Sequence, residues 1–379
     1  MIFFSTHLPS NSVPEAGQKI CNRHLRDLSK RKNVHLVSFV NEMEDDFVDE
    51  RQFEFCASTH LIRISNARRL WNLFFNVLLP AQLAVRADRR ALDIINNLLE
   101  VDPDQEIFLE YEQAAVILPR IKKRIKSTVV FHDVISQSIQ RRMESLGGFS
   151  LKRIYYQYQL KLIFNWERQL SGLVDRAIVL NEKDKSLLIE LGFDPDLIDV
   201  DYPLVSEKFH AASRRRYEPE TILFWGAMNR FENEDAVFWF MTSIYPHIKK
   251  AVPGLRFIIL GANPGDRIQQ LACGDIEVTG FVDDPIPYFE RAALAVAPLR
   301  HGAGVKLKVL EAIAAKLPVV GTSVAAEGVV AATNELEIAD DEVCFAQKVI
   351  DRLSRDLTPL NSNSQDSVPS GSFTHPLEG

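Results

Sequence analysis

The stretch Gly302–Glu311, "GAGVKLKVLE", places small residues, cations and an acid in an order that suits an anionic ligand carrying hydroxyl groups. Gly302, Ala303 and Gly304 form a short loop between an apolar strand and a predicted helix. Glycine in such a loop lets backbone N–H groups approach an anion, and the positive end of the helix dipole favours negative charge there. The front of the stretch therefore predicts a phosphate site.

Two lysines and a glutamate follow on the helix predicted from Val305 to Lys316. Lys306 and Lys308 lie in or beside its first turn, where a cation is intrinsically unfavourable and an anionic ligand would explain it better than helix stability does. Glu311 can accept hydrogen bonds from two hydroxyl groups, such as those of a ribose. A nucleotide diphosphate is the natural ligand for this order, and the alternative is a plain strand–loop–helix with surface lysines.

Short apolar runs alternate with helical patterns along the whole chain, which predicts a parallel α/β fold. Strands are predicted at Ile2–Ser5, Val34–Val40, His60–Ile64, Ile107–Leu109, Thr128–Phe131, Arg176–Leu180, Ile222–Trp225, Arg256–Leu260, Ile276–Val278, Leu294–Ala297 and Pro318–Val320. The pattern restarts after the polar segment 212–221, which is interpreted as a linker. We expect two Rossmann-like domains, 1–211 and 222–357, facing across a cleft, and a polar tail at 358–379. Ligands of such sheets bind at the carboxyl ends of the strands.

Composition and cysteine spacing indicate the compartment in which the protein works. The chain has 379 residues, a formal net charge of −7 and four cysteines with no metal-ligand spacing, which indicates a soluble protein of a reducing, cytoplasmic compartment. It begins in the strand-like run "MIFFS" without a basic leader, so no secretory signal is expected. No apolar run reaches the roughly 18 residues that a membrane span needs.

Three longer segments resemble the GT-B glycosyltransferases, in particular the large family of retaining nucleotide-sugar transferases often called family 4. They are "ILFWGAMNRFENEDAVFWFMTSIYPHIKKAVPGLRFIILGANP" (222–264), "VTGFVDDPIPYFERAALAVAPLRHGAG" (278–304) and "GAGVKLKVLEAIAAKLPVVGT" (302–322). The resemblance covers about 222–330 well and the first domain more loosely. It implies a GT-B fold and transfer of a sugar from a nucleotide-diphosphate donor, with retention of configuration.

The resemblance also implies roles for residues of the second domain. Glu311 would hold the donor ribose, and the diphosphate would be held by the remaining residues of the opening stretch and by an arginine after the first strand: Gly302, Ala303, Gly304, Lys306, Lys308 and Arg230. The nucleobase edge would be formed by Gly280, Phe281 and Val282. Many family members carry a sugar-binding glutamate eight positions before the ribose glutamate, and this chain has Ala303 there, which leaves the donor sugar open.

The first domain supplies candidates for the other side of the cleft. His132 ends a predicted strand in "VVFHDV", where the family often has a histidine near the transferred sugar; the alternative is a structural histidine. Gly17, in "LPSNSVPEAGQKI", would approach the donor phosphate or the acceptor, or form a simple turn. The remaining acceptor-side candidates follow strand ends: Glu110, Tyr111, Glu112 and Asp133. Glu112 could instead begin the following helix.

The resemblance implies a metal-independent enzyme without a cofactor, since lysines, an arginine and backbone amides can stabilise a departing diphosphate. Two Asp-Pro-Asp triplets, 102–104 and 194–196, are typical of turns rather than of a metal site. The alternatives are a non-catalytic GT-B-like module that binds a nucleotide sugar or a partner, a nucleotide-sugar epimerase and a phosphorylase. The family's chains usually continue past the helix predicted at 341–357, so this sequence is part of a longer polypeptide or closes its domains differently.

Three segments favour contact with an anionic partner more than with nucleic acid. The run 67–90 is strongly apolar and flanked by arginines, and 120–126 and 151–161 are basic. They predict contact with the inner face of a membrane, which would suit a lipid-linked acceptor. The alternatives are a buried helix, or a helix pair broken near Pro80, and ordinary solvated helix faces.

Overall fold

Two parallel β-sheets, each with helices on both faces, form the computed structural model of the 379-residue chain. The structure describes residues 1–13, 15–144, 146, 150–214, 217–329 and 335–356. The first sheet has seven strands in the order β3-β2-β1-β4-β5-β6-β7 and the second has six in the order β10-β9-β8-β11-β12-β13. The predicted α/β class with two Rossmann-like domains is confirmed.

The first half of the chain carries strands β1 to β7 and helices α1 to α8, of which α8 packs on the core of the second domain through Phe209. Its strands are β1 (Ile2–Ser5), β2 (His35–Val40), β3 (Ser58–Arg63), β4 (Ile107–Glu110), β5 (Ser127–Phe131), β6 (Arg176–Val179) and β7 (Ile198–Val200). Its helices are α1 (Ala16–Ser29), α2 (Asn66–Phe75), α3 (Ala81–Ala84), α4 (Arg89–Val101), α5 (Ile135–Glu144), α6 (Leu151–Leu170), α7 (Glu182–Glu190) and α8 (Glu207–His210). A 3-10 segment, Glu112–Arg120, follows β4.

Alternation along the strands divides this domain's core between the two faces of its sheet. On β1, Phe3 packs with Cys21 and Leu25 of α1. Its neighbours Ile2 and Phe4 point to the other face. Because helices cover both faces of the sheet, the strands are apolar along their whole length. Short apolar runs in the sequence therefore indicate where the strands lie.

The second domain repeats the arrangement around one large core. Its strands are β8 (Glu218–Trp225), β9 (Arg256–Leu260), β10 (Ile276–Gly280), β11 (Ala292–Ala297), β12 (Val319–Gly321) and β13 (Leu336–Ile338). Its helices are α9 (Phe231–Trp239), α10 (Tyr245–Ala251), α11 (Asp266–Gln269), α12 (Ile286–Arg291), α13 (Leu307–Ala314) and α14 (Glu342–Asp356), with a π-helical turn, Phe240–Ile244, between α9 and α10.

Every predicted strand is present within a few residues, but two observed strands were not predicted. β7 and β13 have only three residues each and lie at sheet edges, so they lack the long apolar run that marks an interior strand. Strand β8 begins at Glu218, inside the segment predicted as a linker. The predicted tail, 358–379, lies outside the described residues.

The run 67–90 is a helix pair, α2 and α3, separated before Pro80. The expectation of a buried helix is wrong for α2, because much of its apolar side faces solvent. Among the described residues, no helix is both long and apolar enough to cross a bilayer.

Two glycines bring the carboxyl ends of β8 and β9 together. Gly261 has φ of +145°, and a Cβ on it would lie 1.8 Å from the carbonyl oxygen of Gly226. The Gly226 N–H in turn donates to the carbonyl of Leu260 at 3.0 Å. A side chain at 261 would therefore push apart the two loops that line this edge of the sheet.

We expect Gly261→Ala to lower the free energy of unfolding by about 3 kcal/mol, because it adds a backbone clash to an unfavourable φ. Urea unfolding followed by circular dichroism measures the change. Gly274→Ala is the matched control, because a Cβ at 274 meets nothing within 4 Å. Equal stability of the two variants would contradict the close approach at Gly261.

Candidate functional site

The Gly302–Gly304 loop leaves β11 at the carboxyl edge of the second sheet and ends at α13. Gly302 and Gly304 have φ of +108° and +70°, which side-chain-bearing residues rarely adopt. A Cβ on Gly304 would lie 2.5 Å from the carbonyl oxygen of His132, in the first domain. Glycine at 304 therefore lets the loop touch the opposite sheet edge.

Both predicted lysines are held at the start of α13. Lys306 is its N-cap residue, and its Nζ donates to the carbonyls of Ala303 and Gly304 at 3.0 and 2.7 Å. Lys308 Nζ donates to Asn233 Oδ1 at 2.5 Å and lies 4.7 Å from the ring centroid of Phe224. The local polar contacts of both ammonium groups are thus with neutral oxygens.

Burial and mutual repulsion make these cations costly. Burial, helped by Arg230 and Lys306, lowers the pKa of Lys308 to about 7. Burial also lowers the pKa of Lys306 to about 8, against the attraction of Glu327. A bound anion would restore the charged form of both lysines, so the arrangement is suited to a phosphate-bearing ligand.

Glu311 lies one helical turn beyond Lys308 and on the same side of α13. Burial raises its pKa to about 8, against the pull of Lys19, Lys208 and Lys308. Because Lys19 belongs to α1, Glu311 looks into the cleft between the domains.

The other donor-side candidates lie on loops at the same edge. Arg230 is the N-cap residue of α9 and reaches Glu232 at 3.7 Å (Nε to Oε2), with its side chain 59% exposed. Gly280 ends β10 with φ of +71°, Phe281 is 60% exposed, and Val282 packs on the core. The strands β9 and β8 separate β10 from β11, so 280–282 lies farther along the edge than the lysines.

On the first-domain side, three predicted residues come together. His132 stacks on Tyr111 with ring centroids 4.0 Å apart. A Cβ on Gly17 would lie 3.0 Å from the Tyr111 hydroxyl oxygen and 3.3 Å from His132 Nδ1. Gly17 therefore leaves room for the histidine edge, and the Nδ1 atom points to the start of α1.

Glu110 fixes the orientation of the His132 ring through a hydrogen bond. His132 Nε2 donates to Glu110 Oε2 at 2.7 Å, and the other carboxylate oxygen accepts from Nδ1 of His24. Nε2 of His24 donates to Asp201 at 2.7 Å. Burial would raise the pKa of Glu110, but the two histidines lower it to about 2. Burial would lower the pKa of His24, but Glu110 and Asp201 raise it to about 9.

This network corrects the expectation for two acceptor-side residues. Glu110 is fully buried and saturated by histidines, so it supports His132 instead of lining the cleft. Glu112 is also buried, in the first turn of the 3-10 segment, and burial raises its pKa well above the usual range. Asp133 remains at the cleft: a Cβ on Gly304 would lie 3.2 Å from its Cβ. Burial raises the pKa of Asp133.

Ion pairs across the domain boundary were not predicted. Arg141 donates to both carboxylate oxygens of Glu327 and, at 2.5 Å, to the carbonyl of Gly302. Lys183 donates to Glu327 at 2.6 Å, and Arg142 to Glu232 at 3.3 Å. The partners lie 90 to 186 positions apart, so no local pattern could reveal them.

The described part of the chain contains no group of three or more His, Cys, Asp or Glu side chains arranged to hold a metal ion. The two Asp-Pro-Asp triplets form turns, in which Asp102 accepts from the N–H of Asp104 and Asp194 from that of Asp196.

Comparison with known proteins supports the interpretation of the second domain. Residues 219–355 match the model of the family described as glycosyl transferases group 1. The match covers most of the second domain. A protein of Klebsiella pneumoniae described as an uncharacterized 44.6 kDa protein in the cps region is 25% identical over 211 residues, which is 52% of this chain and 52% of that protein. The match thus spans about half the length of the curated relative.

Solved structures resemble the fold of the whole chain. Anabaena HepE in complex with UDP-glucose aligns with a TM-score of 0.59 and 13% identity, covering 94% of this chain and 90% of that chain. Sucrose-phosphate synthase of Thermosynechococcus elongatus aligns with a TM-score of 0.61 and 14% identity, covering 94% and 89%. The fold is GT-B, and the predicted resemblance to family 4-like GT-B glycosyltransferases is confirmed.

We expect the His24 imidazole to titrate near pH 9, as its pKa of about 9 indicates, and at lower pH in Glu110→Gln, which removes the charge that stabilises its protonated form. Two-dimensional NMR of the histidine side chains measures both curves. Glu342→Gln serves as the matched control, because this carboxylate is exposed on the other domain and His24 should titrate there as in the wild type. An unchanged curve for His24 would contradict the network.

Proposed function

We propose that the protein transfers a sugar from a nucleotide-diphosphate sugar to a glycan or lipid-linked acceptor in the synthesis of cell-surface polysaccharide or glycoconjugate. The observation that carries the proposal is the pair of half-buried lysines at the start of α13, beside the Gly302–Gly304 loop and one turn before Glu311. The crystal structure of HepE with UDP-glucose, and the location of the Klebsiella relative in the cps region, support this choice.

The chemistry needs stabilisation of the departing diphosphate. As the bond between the sugar carbon and the phosphate oxygen breaks, its electron pair stays on that oxygen, and negative charge grows there. Lys306, Lys308, Arg230 and the loop N–H groups are fixed before the reaction, so they stabilise that charge at little cost in reorganisation. The acceptor hydroxyl oxygen bonds to the sugar carbon, and its proton passes to the leaving phosphate. We propose retention of configuration and no metal ion.

His132 would act on the sugar side of the cleft. Its Nε2–H is committed to the ionised Glu110, which leaves Nδ1 directed toward Gly17. The ring is further held by stacking on Tyr111, so it presents one edge in a fixed orientation. The ion pairs of Arg141 and Arg142 hold the domains together, and closure of this kind excludes water from the reacting sugar.

Ala303 bears on the identity of the donor sugar. A methyl group stands where a carboxylate would contact the transferred sugar in many relatives, so the nucleotide half of the donor is the better-supported half. This position also keeps the alternative open: a GT-B-like module that binds a nucleotide sugar or a partner without transfer, or an epimerase. Product analysis with and without acceptor separates these, because an epimerase needs no acceptor and a binding module gives no product.

The proposal includes a cytoplasmic location at the inner face of the membrane. Dispersed cysteines, which are free in the structure, suit a reducing compartment. The exposed apolar face of α2 and the basic stretches 120–126 and 151–161 would provide the membrane contact.

We expect Lys308→Ala and Glu311→Ala each to lower the rate of sugar transfer by about a hundredfold or more while the protein remains folded, because each removes a fixed polar contact to the donor. Transfer from radiolabelled UDP-glucose and other nucleotide sugars to membrane extract measures the loss. Lys250→Ala and Glu342→Ala change the same residue types on exposed positions of the same domain and should be neutral. Wild-type turnover in both site variants would overturn the assignment.

Binding of UDP should weaken as the pH rises above 7. Free Lys308, with a pKa of about 7, and Lys306, with a pKa of about 8, lose their protons in this range, whereas the diphosphate prefers the charged forms. The affinity should fall by up to about tenfold per pH unit for each lysine that has lost its proton, and protons should be taken up on binding. Calorimetry in buffers of different ionisation enthalpy measures both effects. Lys308→Met should bind more weakly and depend less on pH; affinity that rises from pH 7 to 9 would contradict the model.

A further inference from the structure

Two arginines lie close together at the carboxyl edge of the first sheet, away from the lysines of the donor side. Arg86 donates from Nη1 to the carbonyl of Thr6 at 3.0 Å, and its Nη2 lies 3.1 Å from Nε2 of His7. Burial lowers the pKa of Arg86 to about 10, and the nearby charge of Arg69 lowers it further. Burial and the charge of Arg86 also lower the pKa of His7, which keeps its ring neutral.

Arg69 reaches this position from α2. Asn72, one turn later on the same side of the helix, donates to the carbonyl of Val85 at 3.3 Å, which fixes that side of α2 beside Arg86. The Nε–H of Arg69 is buried and has no hydrogen-bond partner. Within the described chain, neither Arg69 nor Arg86 has a carboxylate within 4.0 Å, although most other buried or half-buried arginines do.

One carboxylate lies near the pair. Glu44 is buried, accepts from His7 Nδ1 at 2.9 Å and from Gln18 Nε2 at 2.5 Å, and accepts the backbone N–H of Asn41 at 2.9 Å. Its oxygens are therefore occupied, and the guanidinium of Arg69 keeps unused donors. A buried guanidinium donor without an acceptor costs free energy, which a bound anion would recover.

The arginine pair is connected to the cleft through a row of contacting rings. His7 lies against Tyr111 with centroids 5.0 Å apart, and Tyr111 stacks on His132 at 4.0 Å. The pair thus lies on the first-domain side of His132, where the acceptor enters in the proposed reaction.

The opposite face of α2 is apolar and exposed. Leu70, Trp71, Phe74 and Phe75 form this face, and their side chains are 57 to 73% exposed. Leu78, which follows the helix, is 82% exposed. The rings of Trp71 and Phe75 lie 4.6 Å apart, and those of Phe74 and Phe75 5.2 Å apart, so the patch is continuous. A continuous apolar patch of this kind marks an interaction site.

We infer that Arg69 and Arg86 bind the phosphate of a phosphorylated lipid whose hydrocarbon chain lies with the apolar face of α2 in the bilayer. The inference rests on the proposed function, in which this lipid is the sugar acceptor. Guanidinium groups bind phosphate oxygens in paired hydrogen bonds, and aromatic side chains such as Trp71 settle at a membrane interface. A soluble glycan acceptor would use neither the unpaired guanidinium nor the apolar face.

Vesicle co-sedimentation of the full chain tests the inference. The vesicles contain phosphatidylcholine alone, phosphatidylcholine with a long-chain polyprenol, with the same polyprenol as its monophosphate, or with phosphatidylglycerol at matched surface charge. We expect the tightest binding to the polyprenyl phosphate vesicles. Equal binding to the polyprenol and its phosphate, or to phosphatidylglycerol and the phosphate, would overturn the phosphate site.

Two variants separate the two parts of the site. Arg69→Gln should lower binding to polyprenyl phosphate vesicles about tenfold and leave binding to neutral vesicles unchanged, as expected for loss of a charge-assisted phosphate contact. Trp71→Ser combined with Phe74→Ser should lower binding to all four vesicles. Arg31→Gln and Val101→Ser are the controls, because both side chains are exposed and lie on connections that lead into the amino ends of strands, at the opposite edge of the sheet.

Calorimetry with UDP on the same proteins keeps this inference apart from the proposed function. Arg69→Gln should bind UDP as the wild type does, and thermal unfolding confirms that it is folded. A wild-type chain that binds none of UDP, GDP, CDP and dTDP would overturn the proposed function, yet the vesicle comparison would still decide about the arginine pair. Wild-type vesicle binding by Arg69→Gln would overturn the inference whatever UDP does.

Discussion

The approach of the Gly304 loop to the His132 carbonyl is the constraint on which the rest of the site depends. At this point two sheet edges meet, and no side chain fits between them. The approach brings the start of α13 opposite the start of α1, so Lys308 and Glu311 of one domain share a cleft with Gly17 and His132 of the other. In the proposed reaction the lysines and Glu311 bind the nucleotide diphosphate and His132 acts on the sugar, so neither set of residues is sufficient by itself.

Charge is distributed in this cleft in two different ways. On the first-domain side, every charge of the Glu110 network has a partner, and the network orients a ring. On the second-domain side, the half-buried ammonium groups of Lys306 and Lys308 donate to neutral oxygens, and neither forms an ion pair with a carboxylate within 4.0 Å among the described residues. Charged groups that pair with each other, as in the Glu110 network, hold side chains in place. Charged groups without such a partner, as at Lys306 and Lys308, are better suited to binding an anionic ligand.

The fold, and the grouping of the predicted donor-side residues at one sheet edge, could be predicted from sequence because both depend on local order. The strands are short apolar runs, and Gly302, Lys308 and Glu311 fall on one loop and one helix. The role of Glu110 could not be predicted, because His24 lies 86 positions away from it and Asp201 lies 177 away from His24. Whether the apolar run 67–90 is buried or exposed could not be predicted for a related reason. The sequence shows that a helix has an apolar face, but only the packing of distant segments determines whether that face is covered.

The bridge from Arg141 and Lys183 to Glu327 also affects how the cleft opens. These bonds join the domains next to the loop that would hold the diphosphate, so parting the domains replaces several charge-assisted contacts with water. Dissolved ions screen the attraction between such partly exposed groups. We therefore expect the separation of the two domains, and with it the access of the proposed nucleotide sugar to the cleft, to depend on the ionic strength around the protein.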